Sequence, residues 1–294
     1  MASLVPWRLR RSLLLTPGHR AERLAKAATL PVDSLAFDIE DGVPPARKDE
    51  ARAAIHAALT SLDFGPRERV VRVNAVGTPG FEADLAALPW AHLDAVLLPK
   101  VEHPDALREA EARFTAAAGR TIPIIATLET PRGILRALDI ADAAPSLAAI
   151  FFGPGDYTLQ TGGALSARGL EFPRATIAAA AGAVGAQAID APYLLGLRDA
   201  DGTRADALGA RELGFSGKVV FHPDQIAPVN DAFTPADDEV AKAERFVAAY
   251  RAAAARGEAV AYVDGEFIAM DLVPRMERII AMAAEARARG QTNG

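Results

Sequence analysis

The chain has 294 residues, half of them apolar, and a formal net charge of −6; this supports a large core and suits one barrel with an appendage better than two independent domains. The acidic balance argues against a nucleic-acid surface and leaves room only for a local basic patch around Arg8, Arg10 and Arg11. The absence of cysteine removes disulfides, zinc–thiolate sites and thiol nucleophiles together. No apolar run approaches the length of a membrane span or a signal segment, so the chain reads as soluble and cytoplasmic.

Short apolar runs alternate with Ala-rich segments that carry charges at helical spacing. In chain order, a strand is predicted at Arg11 to Leu15, followed by a helix from Ala21 to Leu30. A strand at Ser34 to Ile39 precedes a helix from Ala46 to Leu59, and one at Val70 to Asn74 precedes a helix from Phe81 to Leu88. Then come Ala95 to Pro99 with a helix from Asp105 to Ala118, and Ile122 to Leu128 with a helix from Arg132 to Ala143. The last three strands are Ala148 to Phe152, Ala188 to Leu194 and Lys218 to Phe221. Their helices run from Pro173 to Val184, Arg204 to Leu213 and Gln225 to Ala232. Eight alternations predict an α/β chain whose residues 1–233 form a (β/α)₈ TIM barrel. A Rossmann sheet is disfavoured because no strand leads into G-x-G-x-x-G. Residues 234–294 read as a C-terminal helical extension: a helix from Asp237 to Arg256, a strand or hairpin near Ala259 to Phe267, and a helix from Val273 to Ala288. Its amphipathic faces need a partner, and a neighbouring subunit is the expected one.

In such a barrel the residues that close the strands share one mouth, where the chemistry sits. Here they are Arg11, Asp38, Glu40, Asp41, Arg72, Asn74, Lys100, Glu129, Asp156 and His222. Glu129 and Asp156 end successive apolar runs. As a pair of hard oxygen ligands they suit Mg²⁺, which binds few carboxylates and keeps waters and substrate oxygens; the structural alternative is that each caps the helix after it. Arg72 interrupts Val70-Val71-Arg72-Val73-Asn74, on the face of Val70 and Asn74. Its fork suits the carboxylate of an oxo-acid, or an ion pair with Asp38 or Glu40.

Asp38, Glu40 and Asp41 crowd three carboxylates after one strand, so a metal, a metal-bound water, Arg72, Lys48 or Arg52 must join them. At least one of these acids is expected to accept from a metal-bound water. Lys100 balances acids around a metal or, alternatively, forms a Schiff base. His222 caps the barrel end or moves a proton, while His19, His56, His92 and His103 fall in turns or helices and are expected to be exposed.

Taken in order, seven segments resemble the citrate lyase beta subunit-like family of the HpcH/HpaI aldolase superfamily. They are Arg11-Ser12-Leu13-Leu14-Leu15-Thr16-Pro17-Gly18, Asp38-Ile39-Glu40-Asp41-Gly42-Val43, Val71-Arg72-Val73-Asn74, Pro99-Lys100-Val101-Glu102, Glu129-Thr130-Pro131-Arg132-Gly133, Gly153-Pro154-Gly155-Asp156 and Lys218-Val219-Val220-Phe221-His222-Pro223-Asp224-Gln225. The resemblance implies a TIM barrel in a homotrimer or homohexamer, with Glu129 and Asp156 as magnesium ligands and Arg72 as the oxo-acid arginine. It implies a carbon–carbon lyase that cleaves a 3-hydroxyacyl-CoA into an acyl-CoA and a 2-oxo acid. Pro154 and Gly155 would contact substrate, and Arg20, Arg11 or Arg47 would meet CoA phosphates. Glu40, Asp41 and Asp271 are the remaining catalytic candidates.

One departure stands out. Lyases of this family carry a stretch like Leu-Asp-Gly-Lys-Met-Ile-Asp whose last aspartate serves a neighbouring site as acid/base, whereas this chain reads Val263-Asp264-Gly265-Glu266-Phe267-Ile268-Ala269. If the segment is extended, Asp271 points to the same side as Ala269. Asp271 or Asp264 replaces the missing group, or a metal-bound water acts, or the reaction differs. The alternatives are therefore an Mg²⁺-dependent aldolase on a free hydroxy-oxo-acid, with a pyruvate enolate, and a barrel that only binds ligand.

Overall fold

The computed structural model describes residues 5–292. Eight parallel strands close a barrel in sequence order: β1 Ser12–Pro17, β2 Ser34–Asp38, β3 Glu68–Arg72, β4 Ala95–Leu98, β5 Ile124–Leu128, β6 Leu147–Phe152, β7 Gln187–Asp190 and β8 Gly217–Val220. The helices between them are α1 Ala21–Ala27, α2 Lys48–Ser61, α3 Pro79–Ala87, α4 Pro104–Ala118, α5 Pro131–Leu135, α6 Ala137–Ala141, α7 Pro154–Thr161, α8 Ala167–Val184, α9 Ala200–Glu212 and α10 Ile226–Phe233. The barrel unit ends at Phe233 and a second compact unit begins at Thr234.

Two differences from the sequence reading have local causes. The helix predicted from Arg132 to Ala143 is broken at Arg136, whose ψ of 15° departs from helical geometry. The predicted helices omit one that follows β6 directly. Pro154 sits in the first turn of α7 and Gly162 closes it in the left-handed region, the positions these residues favour at helix ends.

Alternation sorts the strand residues into two layers. Leu13, Ala36, Val70, Ala95, Leu97, Ile125, Ala149, Phe151, Ile189 and Val219 fill the barrel interior, and the intervening residues pack outward against the helices. The bottom of the barrel is closed by charge. Buried Arg10 donates to both Glu68 oxygens, at 2.8 and 2.6 Å, and to Gln187, while Ser34 donates to Glu68. Arg11 pairs with Asp33 at the same end. The expected basic patch of Arg10 and Arg11 is therefore a set of buried ion pairs, and Arg11 does not belong to the mouth. It opens β1 rather than closing it.

The second unit has a small core of Phe246, Ala253, Ala261 and Ile268. It consists of α11 Asp237–Ala255, the hairpin β9 Val260–Val263 and β10 Glu266–Ala269, and α12 Val273–Thr292. The hairpin turns on Asp264 and Gly265, both at positive φ, as a two-residue turn of matching twist requires.

Candidate functional site

Period-two alternation continues past the apolar interior layer and places Asp38 above Ala36, Arg72 above Val70, and Thr127 then Glu129 above Ile125. Strand register makes Asp38 and Arg72 direct neighbours across β2 and β3. Arg72 Nε and Nη2 each donate to Asp38 at 2.7 Å, and Nη1 lies 3.2 Å from Glu40 Oε2. One edge of the guanidinium, Nε and Nη2, is thus committed to Asp38, and what remains for a ligand is the second N–H of Nη2 and the N–H groups of Nη1, which stands beside Glu40. Asp38 also accepts from the backbone N–H groups of Glu40 and Gly42, so it anchors the loop after β2 as well as the arginine. A Cβ on Gly42 would lie 2.2 Å from Asp38 Oδ2, which is why that loop turns on glycine.

The crowded acids are shared out between two cations. Glu40 is buried between Arg72 and Lys100 Nζ, the latter at 2.7 Å, and neither of its oxygens makes a hydrogen bond of good geometry. Asp41, exposed, receives Lys100 Nζ at 3.2 Å. Lys48 and Arg52 take no part: Lys48 donates to Asn74, and Arg52 pairs with Asp84 and Asp49. Asn74 is likewise a structural residue, bonded through its side-chain amide and its backbone to Asp84. Burial opposes the charge on Lys100, but Glu40 and Asp41 outweigh it and hold the ammonium well above its ordinary range, which disfavours the neutral amine a Schiff base needs.

Glu129 and Asp156 stand apart from this network. Glu129 is buried, with Oε1 accepting from the Lys100 backbone N–H at 2.7 Å. Gly153 makes room for it, because a Cβ there would lie 2.5 Å from Glu129 Cβ and 2.9 Å from Oε2. Asp156 lies in the first turn of α7 and is half-buried. Among the described residues neither acid has a cation in salt-bridge contact, while Asp38, Glu40 and Asp41 all do. Burial, then the Glu40 and Asp156 carboxylates, push the Glu129 carboxyl up to about 7 against the opposing effects of the Lys100 N–H and Arg72.

A divalent cation fits this donor set, since its charge would offset the burial and the carboxylate repulsion that hold the Glu129 carboxyl high, and it uses the oxygen chemistry present. Among the described residues no group of three or more His, Cys, Asp or Glu side chains is arranged to hold a metal. A cation at the mouth would rest on two carboxylates and fill its shell with other oxygens.

The remaining candidates are dispersed. His222 caps the turn after β8 by accepting from the Asp224 N–H, with Gln225 completing a capping box. His19 is not fully exposed, and its Nδ1 is buried without a partner. Pro154 is buried at the start of α7, whereas Gly155 is exposed with open space beside it. Asp271 is exposed in the second unit and is not in extended backbone. The Leu272 N–H donates to the Ala269 carbonyl, so a turn follows β10 and strand alternation does not carry Asp271 onto the face of Ala269.

A cleft of about 490 Å³ opens beside the ends of β1 and β8, lined in part by Thr16, Arg23, Lys26, Arg198, Phe221 and His222. Arg20 is exposed and is not among its lining residues. Arg23 and Lys26 were missed by sequence reasoning, although their i,i+3 spacing on α1 puts both on one helix face. Among the described residues no helix is long and apolar enough to cross a membrane.

Comparison with known proteins places this geometry. The model of the HpcH/HpaI aldolase/citrate lyase family matches residues 11–223. The chain is 33% identical to the citrate lyase subunit beta of Leuconostoc mesenteroides subsp. cremoris, covering 94% of each chain. It is 36% identical to a (3S)-malyl-CoA thioesterase of Cereibacter sphaeroides, over 88% of this chain and 89% of that one. Among solved structures it resembles the protein CitE of Mycobacterium tuberculosis in complex with magnesium, acetoacetate and coenzyme A. There the TM-score is 0.74 at 33% identity, with 94% of this chain and 98% of that one covered.

Proposed function

Because the chain belongs to the HpcH/HpaI aldolase/citrate lyase family, we propose that it is a Mg²⁺-dependent carbon–carbon lyase that splits a 3-hydroxyacyl-CoA of the malyl, citramalyl or citryl type into an acyl-CoA and a 2-oxo acid. The observation that carries this reading is the pair Glu129 and Asp156, which among the described residues have no cation in salt-bridge contact while Asp38, Glu40 and Asp41 have one. They would hold the ion. When bound, Mg²⁺ supplies Lewis-acid polarisation of the carbonyl formed on cleavage. The relative in complex with magnesium, acetoacetate and coenzyme A supports the metal and the coenzyme, and the (3S)-malyl-CoA thioesterase supports the thioester class.

Arg72 orients the substrate carboxylate through the terminal N–H groups that Asp38 does not take, while Asp38 fixes the guanidinium from the opposite edge. Pro154 and Gly155 lie against the reacting end of the substrate, where the absent side chain of Gly155 allows close approach. Arg23, Lys26 and Arg198 meet the CoA phosphates in the cleft beside β1 and β8. Cleavage removes the β-hydroxyl proton, breaks the carbon–carbon bond and returns a proton to the thioester enolate. Glu40 and Asp41 organise waters at the mouth, and Asp271 or Asp264 from the second unit of a neighbouring copy, in a trimer or hexamer, handles the proton in place of the aspartate that Ala269 replaces.

The test is a product assay on malyl-, citramalyl- and citryl-CoA, with Mg²⁺ and with chelator, for the unsubstituted chain and for Glu129→Gln. Acyl-CoA and oxo-acid formed in equal amounts, lost in chelator and in Glu129→Gln, is the expected result. Release of free CoA and the intact hydroxy acid would instead make the chain a thioesterase. Inertness toward every thioester, with Mg²⁺-dependent exchange of the pyruvate methyl protons, would make it a free-acid aldolase.

A further inference from the structure

Lys100 holds a backbone conformation that strains a lysine and would cost a glycine little. Its φ is +55°, and among the described non-glycine residues only Asp264, in the hairpin turn, shares the left-handed region. The conformation has a purpose in the backbone: it aims the Lys100 N–H at Glu129 Oε1, while the next N–H, of Val101, donates to the Thr127 carbonyl. Glycine would satisfy those two bonds without strain. The reason for a lysine therefore lies in its ammonium, which sits 2.7 Å from Glu40 Oε1 and 3.2 Å from Asp41. Glu40 is 3% exposed and has no hydrogen bond of good geometry to either oxygen, so its carboxylate is held by charge, the Lys100 ammonium at Oε1 and the Arg72 guanidinium at Oε2.

We propose that Lys100 is a positioning and selectivity residue. Its N–H fixes one oxygen of Glu129 so that the other is left for the cation, and its ammonium, together with Arg72, withholds Glu40, so the site offers two carboxylates instead of three. Such a site favours Mg²⁺, which is small, demands near-ideal geometry and keeps its waters. Ca²⁺ accepts six to eight looser oxygen ligands and gains more from an extra carboxylate. The inference rests on the reading of Glu129 and Asp156 as the Mg²⁺ ligands.

Isothermal titration of the full chain with MgCl₂ and with CaCl₂ tests it, on the unsubstituted protein, Lys100→Gly, Lys100→Met and the double variant Lys100→Gly/Glu40→Gln. Both single variants are expected to raise Ca²⁺ affinity about tenfold and Mg²⁺ affinity less, while Mg²⁺-dependent turnover falls. The double variant returns the Ca²⁺/Mg²⁺ ratio to that of the unsubstituted chain. Metal-free melts of Lys100→Gly at or above the unsubstituted value show that the fold is intact. A role confined to folding would weaken both metals together. An unchanged ratio in either single variant, or a raised ratio that persists without the Glu40 carboxylate, would overturn the proposal alone. Failure of the unsubstituted chain to bind Mg²⁺ would overturn it together with the metal reading.

Discussion

Gly153→Ala is a one-atom perturbation aimed at the proposed metal carboxylate. The added Cβ would stand 2.5 Å from Glu129 Cβ, 2.9 Å from Oε2 and 3.4 Å from Thr127 Cγ2. Carbon atoms in contact rest about 3.5–4.0 Å apart, so the closest pair overlaps by roughly 1 Å and Glu129 must yield. It cannot yield freely, because Oε1 is tied to the Lys100 N–H and the residue is buried. Overpacking of this kind costs about 1–3 kcal/mol, and displacement of a metal-holding group by roughly 1 Å costs on the order of 10²-fold in rate. Mg²⁺-dependent turnover is therefore expected to fall about a hundredfold, Mg²⁺ affinity to weaken, and urea stability to drop by an amount in that range. Gly182→Ala is the control: the position lies in α8 with nothing within 4 Å of a new Cβ, so the substitution should be neutral or slightly stabilising. Turnover and Mg²⁺ affinity in Gly153→Ala equal to those of the unsubstituted chain would refute the contact argument.

Other outcomes follow from charge. Asp206 is desolvated, but Lys218 and Arg174 outweigh that and hold its carboxyl below the ordinary range. Its stabilisation is present above the unfolded carboxylate value of about 4 and is lost as pH falls through the lower folded value. Urea midpoints should decline more steeply below pH 4 for the unsubstituted chain than for Asp206→Asn. Glu129 has the opposite sign: with its folded value raised to about 7, ionisation destabilises the metal-free protein as pH rises through that value. Added Mg²⁺ should thus raise the melting temperature more at pH 8 than at pH 5.5, and calorimetry in buffers of different ionisation enthalpy should register proton release near pH 6. At the barrel bottom, Arg10→Met leaves Glu68 buried without its cation and should cost about 3–5 kcal/mol in urea unfolding with no change in Mg²⁺ affinity.

The barrel was legible because each wall strand is a short apolar run bounded by polar turns, a pattern that local sequence carries alone. Boundaries slipped where apolar residues outlast the hydrogen bonding, as at β7, expected to reach Leu194 and ending at Asp190. Glu129, Asp156 and Arg72 could be singled out because each breaks or closes such a run. Partnerships could not be read in the same way. That Asp38 takes the edge of Arg72 depends on the register between β2 and β3, and that Lys100 turns its N–H toward Glu129 depends on a left-handed residue. Arg11 was misplaced at the mouth because a charged residue beside an apolar run looks the same at either end of a strand. Arg23 and Lys26 went unnoticed because their cleft is made by β1 and β8, the first and last strands, which adjoin only when the barrel closes.

The two ends of the barrel separate stability from chemistry. At the bottom, Glu68, Asp33 and Asp94 are each held by an arginine. The mouth also gathers acids and cations, from the segments after β2, β4, β5 and β6 and from the end of β3. There Arg72 and Lys100 are both engaged by Asp38, Glu40 and Asp41, and among the described residues Glu129 and Asp156 have no cation in salt-bridge contact. Barrel closure does not require this imbalance, because the opposite end avoids it. Burial and the neighbouring Glu40 and Asp156 carboxylates hold the Glu129 carboxyl above its ordinary range, so charging it in the metal-free chain carries an unfavourable electrostatic free energy at the mouth. A divalent cation would release it on binding, so Mg²⁺ affinity would derive in part from relief of repulsion already present in the metal-free chain. Glu129→Gln, which removes the repulsion along with a ligand, should accordingly raise the metal-free urea midpoint at pH 8 while abolishing stabilisation by Mg²⁺. A metal-free midpoint that fell instead would mean that the Lys100 N–H bond to the carboxylate outweighs the repulsion, and that the mouth stores nothing.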